Sequence, residues 1–172
     1  GYGKMGKRIH ALSEAQGHEI SYIISSKNQD EILSISPANT DVAIDFSVPE
    51  VAFRNITSLL NNHVAVVSGT TGWLDQLNYI RNLVKTKNGT FFYAPNFSYS
   101  LYMFNAIQME LAKLMNGFSS YNITMEEIHH TEKKDSPSGT AIRLAKGILE
   151  NLDRKSKWIN ETSDDEKDLQ II

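Results

Sequence analysis

Short apolar runs closed by turn residues alternate in this chain with longer stretches whose apolar positions recur at helical spacing. The runs at 19–25, 41–46, 63–68, 90–94 and 123–130 are rich in the residues that favour buried strands. Between them, 4–16, 49–62 and 74–87 repeat apolar residues every three or four positions, which places them on one face of a helix. In 49–62, for example, Val51, Ala52, Ile56, Leu59 and Leu60 share a face. A longer helix is predicted at 101–115 and another from Thr140 through Leu152. Strand and helix in turn favour a parallel sheet, because parallel strands need long crossover returns. Residues 25–39 lack any strong period and read as loop, and 151–167 are polar and acidic and read as an exposed connection. No segment repeats another. The run Leu169-Gln170-Ile171-Ile172 reads as the start of one more strand, and Gly1 opens a loop pattern with no strand before it. The sequence therefore reads as a piece clipped at both ends.

Composition narrows the class. A chain of 172 residues has room for one large domain or a domain and part of another. At that size roughly 70% of the unfolded surface is buried, so a true core is expected. Its 41% hydrophobic and 22% charged residues match soluble proteins. Seventeen basic against 20 acidic side chains, with no basic tract, argue against nucleic acid as a partner. The absence of cysteine rules out a disulfide framework and fits a reducing, cytoplasmic setting. No apolar run approaches the roughly 18 residues of a membrane span, and no signal-peptide pattern is present, so neither membrane nor export is expected.

Two segments carry candidate chemistry. The first is Gly1-Tyr2-Gly3-Lys4-Met5-Gly6, directly before a predicted helix. In such a loop one glycine permits the tight turn, a second lets backbone N–H groups approach a pyrophosphate, and a third allows close helix packing. Glycines at this spacing also occur in plain turns, so a structural turn is the competing account. An acidic residue about 20 positions on would hold an adenosine ribose hydroxyl. Here the next strand ends Ile24-Ser25-Ser26-Lys27, which removes that carboxylate and places a cation where a 2′-phosphate could be tolerated. Gly69-Thr70-Thr71-Gly72 and Ala94-Pro95-Asn96-Phe97-Ser98 each follow a predicted strand. Loops at the carboxyl ends of parallel strands line a ligand crevice. Hydroxyl and amide groups there suit a ribose or a nicotinamide carboxamide, or they cap helices.

The second segment runs from Glu127 through His129, His130, Lys133 and Ser138-Gly139-Thr140. On a strand the adjacent His129 and His130 point to opposite faces, and no cysteine or helical histidine pair completes a site, so no metal is expected. A solvated strand end is the plain alternative. Against it, an imidazole passes protons near neutrality, and Lys133 adds a charge that stabilises a carbanion or imine or donates a proton. Ser138, Gly139 and Thr140 open a helix whose unpaired N–H groups favour a carboxylate.

With these residues in view, the sequence resembles the dihydrodipicolinate reductase family (4-hydroxy-tetrahydrodipicolinate reductases) of bacterial lysine and diaminopimelate synthesis. The family signature Glu-x-His-His-x-x-Lys-x-Asp-Ala-Pro-Ser-Gly-Thr-Ala is matched over Glu127–Ala141 except that Ser136 replaces Ala. The glycine loop, Gly69–Gly72 and Ala94–Ser98 follow in the family's order, so the resemblance spans essentially the whole chain. It implies that Gly1, Tyr2, Gly3, Lys4, Met5 and Gly6 hold the pyrophosphate of NADH or NADPH. Gly69, Thr70, Thr71, Ala94, Pro95, Asn96 and Phe97 would then lie near the nicotinamide. His129 is implied as proton donor or acceptor and Lys133 as proton donor, with His130, Ser138, Gly139 and Thr140 contacting substrate. The implied reaction delivers hydride to a small cyclic unsaturated dicarboxylate with loss of water, in a homotetramer assembled through the second domain's sheet. Where the family has Gly-Val-Asn after Asn-Phe-Ser, this chain has Tyr99-Ser100-Leu101.

The expected architecture is α/β: a Rossmann-like parallel-sheet cofactor domain over 1–97, lacking its first strand. The start of an α+β substrate-binding and tetramerisation domain follows over 98–172. A non-catalytic dinucleotide-binding module is the competing function.

Overall fold

The computed structural model describes residues 1–129, 131 and 136–172. These fall into two compact units, Gly1–Asn96 and Phe97–Ile172.

The first unit is built on three parallel strands in sequential order, β1 (Val42–Asp45), β2 (Ala65–Ser68) and β3 (Phe91–Tyr93). Ile44 lies opposite Val67, and Val67 opposite Phe92. Helix α1 (Lys4–Ala15) precedes the sheet, α2 (Pro49–Asn61) returns the chain from β1 to β2, and α3 (Leu77–Lys87) returns it from β2 to β3. Pro49 starts α2 where its missing N–H costs nothing and its φ is already helical. At the far end of α3, Asn88 takes a left-handed conformation (φ 49°), and Lys85 and Lys87 sit against the negative end of the helix dipole. The apolar face of α2 is the core of the unit. Ala52, Ile56, Leu59 and Leu60 are buried with Val64, Val66 and Ile80, and enclosing a side chain the size of Ile56 contributes about 1.5–3 kcal/mol.

Residues 19–25, predicted as a strand, join no ladder among the described residues. Tyr22 and Ile24 pack onto the core, which accounts for the apolar pattern. Pairing, however, needs a neighbouring strand about 4.8 Å away. Between residues 18–24 and β1 there is instead a cleft of about 800 Å3. The 74–87 helix begins as a 3-10 turn, Leu74–Gln76, and becomes regular at Leu77. Within the predicted loop 25–39 there is one such turn, Gln29–Ser34.

In the second unit, α4 (Tyr99–Met115) packs on α5 (Gly139–Leu149), and β4 (Lys157–Ile159) pairs in parallel with β5 (Asp168–Gln170). The two helices approach closely at Gly147, where a Cβ would stand 3.0 Å from Gln108 Nε2 and 3.2 Å from Met109 Cγ. Gln108 Nε2 donates to the Leu144 carbonyl across the same contact, at 2.8 Å. Ala112, Ala141, Ala145, Ile148, Leu152, Leu169 and Ile171 form this unit's core. Two expectations are corrected here. The predicted strand 123–130 is realised as a single parallel bridge of Met125 to Ile171. Backbone bonds Met125 N–Gln170 O and Glu127 N–Ile172 O, both 2.9 Å, support it, and His130 lies outside the described residues. The stretch 151–167 is not simply an exposed connection, because it contains β4 and the buried Lys155. Lys155 Nζ donates to the Glu166 and Asp168 carbonyls at 2.8 Å each, so the ammonium is satisfied by backbone rather than by water. Burial pushes its pKa down, and the neighbouring Arg154 charge adds to that.

Among the described residues no helix is long and apolar enough to cross a membrane.

Candidate functional site

Because β1, β2 and β3 are parallel, the chain leaves all three at one edge of the sheet, where 46–48, 69–72 and 94–96 form the loops. The predicted glycine loop is brought to the same place. A Cβ on Gly1 would lie 2.5 Å from the Phe46 carbonyl and 2.9 Å from Ser47 Cα. One on Gly6 would run into the Gly1 carbonyl, and one on Gly69 into the Phe46 ring. At Gly1 and Gly6 the obstacle is backbone, so a side chain there would have to displace the chain itself, whereas at Gly69 it is the Phe46 ring. Gly3 is different, since nothing of the protein lies within 4 Å of its Cβ position. It is the N-cap of α1, which has no side-chain cap and no acidic residue in its first turn. The first-turn N–H groups of α1 thus lack intrahelical acceptors, as an anion site requires. Tyr2 turns onto the helix, its hydroxyl 2.9 Å from His10 Nδ1, while Lys4 and Met5 are exposed.

Thr70 is fixed from below. Its hydroxyl donates to Asp45 Oδ2 at 2.6 Å and accepts the Ser47 N–H at 2.8 Å. Asp45 is only 4% exposed and also receives Asn55 Nδ2 at 3.3 Å. Trp73, buried behind the loop, donates its indole N–H to the Thr70 carbonyl at 2.7 Å. Gly72 takes the positive φ of 82° that closes the loop. Thr71, Pro95 and Asn96 are exposed, and Ala94 N donates to the Ser68 carbonyl at 3.2 Å. Ser47, whose Cα faces Gly1 and whose N–H bonds Thr70, has a buried hydroxyl without a partner among the described residues. An unpaired hydroxyl beside these loops fits a polar ligand such as a dinucleotide phosphate or ribose.

In the second unit the predicted residues converge on a carboxylate that sequence reasoning quoted without assigning a role. Glu127 Oε1 accepts the Ser138 N–H at 2.7 Å, and Oε2 accepts the Ser138 hydroxyl at 2.5 Å. Oε2 also lies 2.8 Å from His129 Nε2. Ser138 Oγ in turn caps α5 by accepting the Ala141 N–H at 3.0 Å. Burial alone would raise the Glu127 pKa. The hydrogen bonds from Ser138 and His129 outweigh it and hold the carboxyl below its ordinary value. The first-turn N–H groups of Gly139 and Thr140 have no intrahelical acceptor, as at any helix start, and among the described residues no atom lies within 4 Å of a Cβ placed on Gly139. His130 and Lys133 lie outside the described residues. Phe97 belongs to this second unit and is 48% exposed. Among the described residues no three potential ligands gather into a metal site.

Of the two departures from the resembled pattern, Ser136 makes a local contact, and nothing in the structure explains Tyr99-Ser100-Leu101. The Ser136 hydroxyl lies 3.3–3.4 Å from the Asn160 side-chain amide, a contact alanine cannot make. Ser98 caps α4 by accepting the Leu101 N–H at 3.3 Å, and the following Tyr99 and Tyr102 are largely exposed. Sequence reasoning missed Asp45 as the support of Thr70. Its signal is a carboxylate closing an otherwise apolar strand, Val42-Ala43-Ile44-Asp45.

Comparison with known proteins agrees with this geometry. The family model for the dihydrodipicolinate reductase N-terminus matches residues 1–97, and that for the C-terminus matches residues 100–171. The 4-hydroxy-tetrahydrodipicolinate reductase of Christiangramia forsetii is 42% identical over 167 residues, which is 96% of this chain and 69% of that protein. The enzyme of the same name from Bifidobacterium longum is 35% identical over 154 residues, 86% of this chain and 59% of its own length. The chain thus spans about three-fifths to two-thirds of the curated relatives it matches. In fold it is similar to the dipicolinate-bound dihydrodipicolinate reductase from Paenisporosarcina sp. TG-14, with a TM-score of 0.62 at 23% identity over 98% of this chain and 75% of that one. Matched from end to end by the two halves of one family in their proper order, the chain belongs to the dihydrodipicolinate reductases.

Proposed function

We propose that this chain carries the cofactor loop and the proton-transfer residues of an NAD(P)H-dependent 4-hydroxy-tetrahydrodipicolinate reductase of lysine and diaminopimelate synthesis. The dinucleotide, when bound, supplies the hydride. Gly1–Gly6 and the start of α1 would hold its pyrophosphate, and Thr70, fixed by Asp45, would line the nicotinamide side with Gly69, Thr71 and Ala94–Phe97. Nothing acidic stands at Ser25-Ser26-Lys27 to reject a 2′-phosphate, so both NADH and NADPH are accepted. In the second unit the N–H groups of Gly139 and Thr140 would take one substrate carboxylate, and His130 is a further substrate contact by the family resemblance. His129 and Lys133 would provide the proton that the reduction consumes as water is lost. We place the enzyme in the cytoplasm as a homotetramer.

The observation that carries this proposal is the Glu127–His129–Ser138 constellation at the start of α5, where a proton-carrying imidazole and an anion-binding helix end are held by one carboxylate. The test follows the nicotinamide absorbance of the whole protein with enzymatically generated substrate and either NADH or NADPH. Substrate-dependent oxidation with both cofactors supports the reductase. Cofactor binding without oxidation would leave only a dinucleotide-binding module.

A further inference from the structure

Among the described carboxylates of the second unit, Glu127 is the most heavily hydrogen-bonded. Its side chain is only 17% exposed, against 39% for His129. All three of its contacts come from groups able to donate: the Ser138 N–H, the Ser138 hydroxyl and His129 Nε2. An ionised carboxylate only accepts hydrogen bonds. Held ionised by this network, Glu127 therefore requires the hydrogen on His129 to sit at Nε2. The neutral ring then presents its lone pair at Nδ1, and the protonated ring presents a second N–H there. Tautomer and ring orientation of a working histidine are set by what its other nitrogen binds.

We propose that Glu127 is a positioning residue of the proton-transfer site. Its carboxylate fixes His129 as the Nε2–H tautomer and ties it through Ser138 to the first turn of α5, so that His129 exchanges its proton with substrate at Nδ1. The same carboxylate thereby sets the spacing between the proton carrier and the N–H groups of Gly139 and Thr140. This rests on the reductase reading for the identity of the substrate, though not for the tautomer. Glutamine in place of Glu127 keeps one acceptor oxygen and replaces the other with an NH2 that only donates, so it cannot accept from the Ser138 N–H, the Ser138 hydroxyl and His129 together and no longer demands the Nε2–H tautomer.

Long-range proton–nitrogen NMR of the whole protein, at a pH where the ring is neutral, reads the tautomer directly. The wild-type ring is expected to carry its hydrogen at Nε2, and Glu127→Gln to populate both tautomers. In steady-state assays Glu127→Gln is expected to lower kcat by about tenfold or more, as loss of a poised proton carrier does, with KM for the dinucleotide within about twofold. Glu127→Asp, which keeps the charge, recovers part of kcat, and it carries the test alone if the glutamine variant does not fold. A wild-type Nδ1–H tautomer, or an unchanged tautomer and kcat in Glu127→Gln, overturns the proposal. If the wild type shows no substrate-dependent oxidation, the reductase reading fails, and the tautomer comparison still decides the role of Glu127.

Discussion

The two halves of this molecule make their sites by opposite means. In the first unit the ligand-facing loops are shaped by missing side chains, since Gly1, Gly6 and Gly69 each sit where a single Cβ would strike backbone or ring. In the second unit the site is shaped by groups that are present: one carboxylate gathers an imidazole, a hydroxyl and a helix start. A backbone cradle is broken by adding atoms, and a polar knot is broken by removing them. Under the proposed function the first would recognise phosphate through N–H groups that every residue shares, and the second would supply proton chemistry that few side chains support.

The largest expected effect is on the chemical side. Lys133→Ala should lower kcat by at least about tenfold, as when a charge partner of the transition state is lost. Near wild-type turnover in the whole enzyme would remove Lys133 from the mechanism. On the cradle side, Gly6→Ala and Gly3→Val form a contrasting pair. The first must displace the Gly1 carbonyl, so it should lower both thermal stability and dinucleotide affinity. The Cβ of the second meets no atom of the described residues within 4 Å, and the substitution should weaken dinucleotide binding by about tenfold or more with little change in melting temperature. Calorimetric titration and thermal melts separate the two. Equal affinity for Gly3→Val and wild type would return that loop to a structural turn.

Thr70→Val probes how the cradle leans on its own polar support. It removes the donor to buried Asp45 and the acceptor of the Ser47 N–H, and it should cost about 1–3 kcal/mol in urea denaturation. A loss near zero would mean that Asp45 finds another partner. The smallest effect is on pH. The Glu127 carboxyl is held below its ordinary value of about 4.5. A lowered folded-state pKa contributes stability that is complete above the unfolded value and is lost as pH falls through the folded one. Wild type should therefore lose more stability than Glu127→Gln on acidification below about pH 4.5. Parallel curves for the two proteins would show that the carboxylate contributes nothing in that range.

What could be read from the residues alone divides along the same line. Elements with a local signal were legible. The stripe of α2 appears as Ala52, Ile56, Leu59 and Leu60 in the core, while Val51, predicted on the same face, is half-buried and outside it, and β1, β2 and β3 fall inside the predicted apolar runs. Residues 19–25 carry an equally good apolar pattern but form no ladder, because pairing depends on a neighbour that no local pattern reveals. The strand β4 is only three residues, Lys157-Trp158-Ile159, inside a polar and acidic stretch, and its partner β5 lies beyond that stretch at Asp168–Gln170. The glycine loop and the His129–Thr140 segment stood out as motifs. Asp45 and the role of Glu127 did not, because each works through a partner distant in sequence, Thr70 in one case and Ser138 in the other.

The proposed function rests on hydride passing from a bound nicotinamide dinucleotide to a cyclic dicarboxylate. The most direct measurement is mass spectrometry of the product formed by the whole protein with a reduced cofactor deuterated at both C4 positions of the nicotinamide. The account predicts tetrahydrodipicolinate heavier by a single deuteron, in proportion to the cofactor oxidised. Unlabelled product, or oxidation of the cofactor without any product, would contradict it.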